Sequence, residues 1–428
     1  MSSGDPSAPT LSSVQRWFRH VQQISGGPAG EIANATAEDV ARWLTGPARA
    51  IPSPGRLLHD MSWRLCATGL PLARTTLHVG TLHPQFVGFF CRWIRAGAAT
   101  HEADIERGIR QTEAYRTSPI RLVLEHGTTI RRKIGERGAP LDFPILSELQ
   151  AEGIVDYLAT PLVFSDGQVA AATWATDRAG GFTDREIAQI QALLPVLAML
   201  IEVRAARRIA TSLLDVYLGR KAGQRVLRGD ITRGSGETIR AVLLSFDLRG
   251  FTAMSDRLPG DRVIAILNAF FERLVAPIHD RGGEILKFIG DGMLAIFPLE
   301  DAAFAFNAAR RALEAVEAAF AALDNFNTAQ KEAADPMLLM AAALHVGDVI
   351  YGNIGGEDRL DFTAIGAAVN LLSRLQLLSK ELDRPLLLSD DFARICERPL
   401  VSLGLHPVRG LTQPQEVFAL EDGAFPAK

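Results

Sequence analysis

With 428 residues, 47% of them hydrophobic and 22% charged, the chain has the composition of a globular protein and exceeds the length of one ordinary domain. Its formal net charge of −4 provides no general attraction for nucleic acid or for an anionic membrane. The three cysteines lie far apart in the sequence, which argues against a disulfide framework and a thiolate zinc site and favours a reducing compartment.

Residues 1–55 are interpreted as a lead-in followed by a helical segment. The first 13 residues are typical of a disordered lead-in and lack the basic and apolar regions of a signal peptide. The longest apolar run, residues 192–201, has about half of the ~20 residues that a membrane-spanning helix needs. The sequence therefore predicts a protein without a membrane span, located in the cytoplasm.

Residues 56–203 are predicted to form a first domain. All five tryptophans lie before residue 175, so the two halves of the chain are expected to have separate cores. Strands are predicted at 75–79 and 86–94, and a hairpin at 157–164 and 168–176. Thr183 and Glu186 form a capping box that starts a helix reaching to about residue 208. This layout resembles a GAF-like α/β sensor domain, which implies a small-molecule ligand that the sequence does not identify.

Residues 204–240 are predicted to be a helical connector, and residues 241–428 a second domain. The second domain is predicted to have helices at 259–280, 301–333 and 367–382. Its strands are predicted at 241–248, 284–289, 293–298, 337–345, 349–354 and 385–389. This βαββαββαβ order indicates an antiparallel-rich sheet with helices on one face, which is an α+β fold.

Two aspartates of the second domain are candidates for metal binding. Asp247 ends the first predicted strand, and Asp291 lies at the tip of the next hairpin, between Gly290 and Gly292. If the two strands are neighbours, the carboxylates meet at one end of the sheet. Paired carboxylates suit Mg²⁺, which takes its remaining ligands from substrate phosphates and water. Taken alone, Asp291 also fits an ordinary Asp-Gly turn.

Four segments of the second domain, taken together, resemble the catalytic domain of class III adenylyl and guanylyl cyclases. They are FDLRGFT at 246–252, GGEILKFIGDGMLAIF at 282–297, ALHVGDVIYGNIG at 343–355 and LDFTAIGAAVNLLSRL at 360–375. The resemblance covers about residues 241–420 and implies a ferredoxin-like, palm-type fold.

The resemblance implies a role for each matching residue. Asp247 and Asp291 match metal ligands, with the Leu248 carbonyl as a further one, for two Mg²⁺ or Mn²⁺ ions per active site. Asn370 and Arg374 match the pair that orients the ribose and stabilises charge at the α-phosphate, a task that suits the fixed donor fork of arginine. The triphosphate is expected on the backbone of four consecutive residues, Arg249, Gly250, Phe251 and Thr252.

The resemblance also implies how the base is selected. Lys287 and Thr363 match the two positions that contact the purine: the lysine can donate to adenine N1, and the threonine can accept from the 6-amino group. Guanylyl cyclases carry Glu and Cys at these positions, so the pair favours ATP, although threonine can also donate. Where mammalian-type members have a phosphate-contacting arginine, this chain has Ala341. Arg409 resembles a second phosphate-contacting position, and a surface arginine is the alternative.

The sequence thus predicts an adenylate cyclase that converts ATP to 3′,5′-cyclic AMP and pyrophosphate under the control of its N-terminal domain. Active sites of the family lie between two catalytic domains, so the resemblance implies a head-to-tail homodimer with two equivalent sites. Three alternatives stay open: a catalytically silent nucleotide-binding regulator, a cyclase with a relaxed choice between ATP and GTP, and a diguanylate cyclase. The GGEI sequence at 282–285 does not match the GGDEF or GGEEF signature of diguanylate cyclases.

Overall fold

The computed structural model describes residues 15–26, 35–299, 305–330, 337–409 and 411–421. The chain forms two compact units, Met1–Leu213 and Leu214–Lys428. Each unit buries its own hydrophobic clusters, as the distribution of the tryptophans predicted. The lead-in predicted for residues 1–13 lies outside the described residues.

The N-terminal unit contains an antiparallel sheet that, in the described residues, has seven strands in the order β1-β4-β3-β2-β7-β6-β5. The strands are β1 Phe18–Ser25, β2 Arg74–Gly80, β3 Phe86–Ile94, β4 Ala99–Glu106, β5 Ile130–Lys133, β6 Asp156–Val163 and β7 Val169–Thr176. The four central strands are those that the sequence patterns predicted. The three outer strands, β1, β4 and β5, were not predicted.

Helices cover both faces of this sheet. They are α1 Ala37–Thr45, α2 Pro54–Ala67, α3 Glu113–Arg116, α4 Pro119–His126, α5 Pro144–Ala151 and α6 Asp184–Leu218, with 3-10 turns at Gln15–Trp17, Pro47–Ala50 and Arg107–Gln111. Side chains of α2 and α6 pack with Trp93 and Trp174 in one cluster. Val123 of α4 and Leu146 of α5 pack in the other. The predicted capping box forms: the Thr183 amide donates to Glu186 Oε2 at 2.8 Å.

Helix α6 is longer than its apolar run suggested. Within the part of the chain that the structure describes, α6 is long and apolar enough to cross a membrane by length and composition alone. However, Leu197 and Ile201 pack into the core of the N-terminal unit. The Arg204 side chain donates to the Ala48 carbonyl oxygen at 2.7 Å. This part of α6 is therefore a core helix of a folded domain, and the absence of a membrane span stays a prediction.

The C-terminal unit contains a mixed sheet with, in the described residues, eight strands. The main order is β14-β15-β13-β11-β8-β10-β9, with β12 paired to β11, and all pairs are antiparallel except β11 with β13. The strands are β8 Gly236–Leu248, β9 Glu284–Ile289, β10 Gly292–Pro298, β11 Met340–Gly355, β12 Leu360–Ile365, β13 Leu386–Ser389, β14 Leu400–His406 and β15 Gln415–Leu420.

The helices of this unit lie on both faces of its sheet, not on one face as predicted. They are α7 Arg220–Leu227, α8 Phe251–Ser255, α9 Gly260–Asp280, α10 Ala305–Gln330, α11 Ala367–Glu381 and α12 Asp390–Ala393. Val242 and Leu244 of β8 face the cluster formed with α9 and α10, whereas Ala241 and Leu243 face α7 and α11. Because β8 is apolar at consecutive positions, both of its faces require a covering layer.

One predicted pair of strands is wrong. Residues 340–345 and 349–354 belong to the single strand β11, which pairs with β8 from Met340 opposite Leu248 to Gly352 opposite Gly236. Because β8 begins at Gly236 rather than at residue 241, its partner continues through Gly347, which the sequence suggested as a break. The next strand is β12, which was not predicted.

Candidate active site

The two predicted metal-binding aspartates lie at the ends of neighbouring strands. Asp247 of β8 is directly opposite Gly292 of β10, and Asp291 immediately precedes β10. The Leu248 amide, at the end of β8, donates to the Asp291 carbonyl oxygen at 3.2 Å. Burial, followed by the negative charge of Asp247, raises the pKa of Asp291. The structure therefore places the two carboxylates close enough to interact electrostatically.

This donor set fits a hard divalent cation that shares its ligands with a nucleotide. Two carboxylates in mutual repulsion are stabilised by a positive charge placed between them. The described residues contain no cluster of three or more His, Cys, Asp or Glu side chains that could enclose a metal ion alone. Mg²⁺ is usually bound by one or two carboxylates, with substrate phosphates and water as further ligands. Asp247 and Asp291 match that pattern.

The segment after β8 contains the predicted triphosphate loop. The Arg249 amide donates to the Leu339 carbonyl oxygen at 2.8 Å, so in this structure it is not free to bind phosphate. Gly250 has a φ of 74° and precedes α8, whose first turn contains Phe251 and Thr252. Because the first amides of a helix have no partner within it, these residues can present N–H groups to an anion.

The two predicted base-contacting residues lie on β9 and β12, which contact each other through Lys287 and Asp361. Lys287 lies on β9, and its Nζ is 3.6 Å from Asp361 Oδ2 on β12. Thr363 follows Asp361 by two residues and therefore shares its face of the strand. Thr363 is buried, and its hydroxyl has no hydrogen-bond partner among the residues the structure describes. An unpartnered buried hydroxyl next to a lysine suits a ligand that supplies both a donor and an acceptor.

Asn370 and Arg374 lie one turn apart on α11. Asn370 is exposed and Arg374 is half-buried, and within the described part of the chain neither side chain has a hydrogen-bond partner. Arg409 is exposed in the turn between β14 and β15, and β15 is separated from β8 by β13 and β11. No described contact brings Arg409 to the aspartates.

Lys380 and Arg249 make contacts that the sequence motifs did not reveal. Lys380, in the last turn of α11, forms an ion pair with Asp247. The Arg249 guanidinium binds the same end of α11, through Asp383 and the carbonyl groups of Ser379 and Arg384. A lysine near a helix C-terminus is common for local reasons, so its sequence position alone carried no signal.

A comparison with known protein families agrees with the geometry. Residues 237–397 match the adenylate and guanylate cyclase catalytic domain. Residues 237–397 are therefore identified as an adenylate and guanylate cyclase catalytic domain. Class III cyclases use divalent metals, as the donor set at Asp247 and Asp291 suggests.

Individual relatives match over different lengths. An adenylate cyclase of Anabaena cylindrica is 30% identical over 169 residues, which are 39% of this chain and 32% of that protein. The chain thus spans about a third of that relative. Adenylate cyclase 2 of Rhizobium meliloti is 29% identical over 64% of this chain and 74% of that protein. The solved structure of the guanylyl cyclase Cya2 covers 43% of this chain and 93% of its own, at 26% identity and a TM-score of 0.39.

Helix α7 packs directly on the cyclase domain. Ala222 is buried in the cluster that includes Phe362, the residue next to Thr363. The Arg225 guanidinium lies 5.3 Å from the centre of the Phe362 ring. The Tyr351 hydroxyl donates to Glu284 Oε1 at 2.6 Å, and Glu284 opens β9, which carries Lys287. Lys221 Nζ of α7 lies 4.0 Å from Glu284 Oε2, so the connector contacts the two strands that carry the predicted base-contacting residues.

The N-terminal unit contains a cavity of about 580 Å³. Most of its lining is apolar, but a polar cluster lies in it: Thr76 Oγ1 is 2.6 Å from Thr173 Oγ1 and 3.0 Å from His78 Nε2. Burial lowers the pKa of His78 to about 3, so the ring is neutral at pH 7. Arg74 and Tyr157 also line the cavity. Its size and its few polar groups are typical of small-molecule sites, which measure roughly 300–1,000 Å³.

Proposed function

We propose that the chain is an adenylate cyclase, which converts ATP to 3′,5′-cyclic AMP and pyrophosphate in the cytoplasm. The observation that carries this choice of base is the buried, unpartnered hydroxyl of Thr363 on the strand contacted by Lys287. Adenine presents an acceptor at N1 and a donor at its 6-amino group. The lysine supplies the donor and the threonine oxygen supplies the acceptor, so the buried hydroxyl of Thr363 gains a partner.

In the proposed reaction the ribose 3′-oxygen attacks the α-phosphorus, the bond to the β-phosphate oxygen breaks, and pyrophosphate leaves. The chain contributes mainly by positioning the nucleotide and by stabilising charge. Lys287 and Thr363 orient the base, Asn370 orients the ribose, and Arg374 stabilises charge at the α-phosphate. Divalent cations held by Asp247 and Asp291 supply charge neutralisation at the phosphate oxygens.

The experiment that tests this proposal measures cyclic product formed from ATP and from GTP, with Mg²⁺ and with Mn²⁺. We expect cyclic AMP as the preferred product. Preferential formation of cyclic GMP would make the assignment of the base wrong. If neither nucleotide is cyclised by a folded protein that binds ATP, the chain is a silent nucleotide-binding regulator instead.

We infer that each active site combines residues from two chains. Lys380 contacts Asp247, and Asn370 precedes Lys380 by ten residues on the same helix, about 15 Å along its axis. The short side chain of Asn370 is therefore far from the aspartates of its own chain, which favours its use at a site of the partner chain. Exposed apolar side chains near these elements, Phe288, Ile289 and Leu377, supply a surface that a second copy would cover.

Mixing two inactive variants tests the shared site. Asp247→Ala and Arg374→Ala should each abolish activity, but a heterodimer of the two contains one intact site. With random exchange of subunits, about half of the dimers are mixed and half of their sites are intact, so activity should return to about a quarter of the wild-type rate. If exchange is demonstrated and the mixture stays inactive, the sites are not shared.

We further infer that the N-terminal unit regulates the cyclase domain through a small molecule bound in its cavity. The cavity supplies the binding volume, and helix α6 runs from the N-terminal unit to Leu218, next to the start of α7. Helix α7 contacts the strands of the base pocket, so a displacement of α7 would alter how Lys287 and Thr363 are placed. Cavity-filling substitutions such as Thr173→Phe should change cyclase activity without touching the catalytic domain. Unchanged activity in a well-folded variant would contradict this regulation.

A further inference from the structure

Asp247 already has a cationic neighbour within its own chain. The Lys380 ammonium group is in contact with Asp247 Oδ2. The Asp247 side chain is 17% exposed, whereas that of Lys380 is 47% exposed. A surface ion pair of this kind contributes little to stability, so its position at the candidate metal site is the informative feature.

The sheet leaves space above Asp247 for this lysine. Ala341 of β11 is directly opposite Asp247 of β8, and it is fully buried with no side chain beyond Cβ. Helix α11 covers this position: Gln376, one turn before Lys380, donates to the Ala341 carbonyl oxygen at 2.9 Å. A longer side chain at position 341 would compete with Lys380 for the same volume.

Lys380 does not act as an ordinary cap of α11. Lysines near a helix C-terminus often bind its last carbonyl groups. In α11 those groups already have partners: the Leu378 oxygen accepts from the Leu382 amide, and the Ser379 oxygen accepts from the Arg384 amide. The side chain of Lys380 extends across to β8 instead.

Arg249 fixes the end of α11 to the segment that follows Asp247. Its guanidinium donates to Asp383 Oδ1 at 2.7 Å and to the Arg384 carbonyl oxygen at 2.8 Å. It also donates to the Ser379 carbonyl oxygen at 3.1 Å, immediately before Lys380. The base of the Lys380 side chain is therefore held in place by contacts that do not involve the carboxylate of Asp247.

The geometry points to Lys380 as a phosphate-binding residue of the active site. In the absence of metal and nucleotide, its ammonium group is paired with Asp247. This inference rests on the proposed function. Without a metal, the lysine neutralises Asp247. With a divalent cation at the carboxylates, the ammonium group would be free to donate to the phosphate groups that leave as pyrophosphate. A lysine suits this change of partner because its donors rotate on a flexible four-carbon stem.

The inference predicts effects of opposite sign on two ligands. In Lys380→Gln the competitor for Asp247 is lost, so Mn²⁺ alone, measured by calorimetry, should bind about twofold to fivefold more tightly. Inorganic pyrophosphate, measured at saturating Mn²⁺, should bind about tenfold more weakly, because one charge-assisted hydrogen bond is lost. Lys380→Arg should retain most of the affinity for pyrophosphate. The exposed Lys133→Gln in the N-terminal unit is the matched control and should change neither affinity.

Two results would overturn the inference: both affinities unchanged in Lys380→Gln, or both lowered together, as a purely structural role would give. Lys380→Met is a second neutral variant, and the same opposite signs are expected from it if the glutamine variant folds poorly. A failure of the proposed function looks different. In that case the wild-type protein forms no cyclic nucleotide from ATP or GTP, whether or not Lys380 affects the binding of pyrophosphate.

Discussion

Replacing Thr363 by valine tests the base pocket most directly, because it should affect stability and catalysis in opposite directions. The residue is only 3% exposed, and its hydroxyl has no partner among the described residues. A buried polar group without a partner costs about 1–3 kcal/mol. Valine keeps the branched shape and removes the hydroxyl. We therefore expect the free energy of unfolding of the nucleotide-free C-terminal unit to rise by about 1–2 kcal/mol.

The effect on ATP should have the opposite sign. In the proposed nucleotide complex the Thr363 oxygen accepts from the 6-amino group, and valine would leave that amino group unpaired inside the pocket. The loss is about 1–2 kcal/mol. Since about 1.4 kcal/mol corresponds to a factor of ten, kcat/KM for ATP should fall roughly tenfold.

The positions of the tryptophans make the stability measurement specific to one unit. All five precede residue 175, so their fluorescence follows unfolding of the N-terminal unit, whereas circular dichroism follows both units. Thr160→Val is the matched control, because the Thr160 hydroxyl accepts from Trp174 Nε1 at 3.0 Å. This control should destabilise the N-terminal unit only. The reasoning is refuted if Thr363→Val destabilises its own unit as the control does, or if the kinetics with ATP are unchanged.

Three further predictions follow from buried charges and from the docking of α7. Burial and Asp247 raise the pKa of Asp291, so the contribution of this carboxyl group to stability is greatest in acid and is lost as pH rises. Asp291→Asn should therefore abolish cyclisation but raise the unfolding midpoint in EDTA, more at pH 7 than at acid pH. A lower unfolding midpoint at pH 7 would contradict this. Tyr351→Phe removes the donor to buried Glu284, so the free energy of unfolding in urea should fall by about 1–3 kcal/mol. Because burial raises the pKa of Glu284, its carboxylate form is more populated at pH 8 than at pH 5, and the loss should be larger at pH 8. Equal losses at the two pH values would contradict the bond to the carboxylate. A chain beginning at residue 214, which keeps α7, should form cyclic AMP, and one beginning at residue 229 should not; equal activities would remove α7 from the mechanism.

Sequence patterns predicted the parts of the fold where apolar residues alone specify the structure. The central strands of the N-terminal unit, such as β3, are buried along nearly their whole length and are rich in aromatic residues. The flanking strand β4 has the sequence ATHEADIE, and β1 is exposed along most of its length. Such strands are held by pairing with a neighbour rather than by their own hydrophobicity, so a single sequence does not reveal them.

The strand break predicted near Gly347 is wrong for a similar reason, because pairing with a neighbouring strand determines the structure there. A glycine followed by an aspartate favours a turn locally, but the long partner β8 supplies pairing on both sides of it. Pairing with β8 therefore outweighs the local preference for a turn.

The candidate site was predicted where its residues belong to contiguous motifs. The motifs predict roles for Asp247, Asp291, Lys287 and Thr363 in this way, and these roles stay predictions. The ion pair of Lys380 could not, because it joins elements more than 130 residues apart in sequence and depends on where α11 ends. The side chain of Arg249 shows the same limitation: the motif assigned its backbone to phosphate, while tertiary packing gives its guanidinium another partner.

A single glycine separates α6 from α7 and bears on how the proposed regulation would reach the catalytic domain. Gly219 has a φ of 85°, and a Cβ atom there would lie 3.3 Å from the Ile285 carbonyl oxygen. A continuous helix would transmit rotation about its axis, whereas we expect the break at Gly219 to bend while α7 stays packed on the catalytic strands. We therefore expect that other N-terminal domains, fused through a helix that ends at Gly219, can regulate the catalytic domain without changes in its strands.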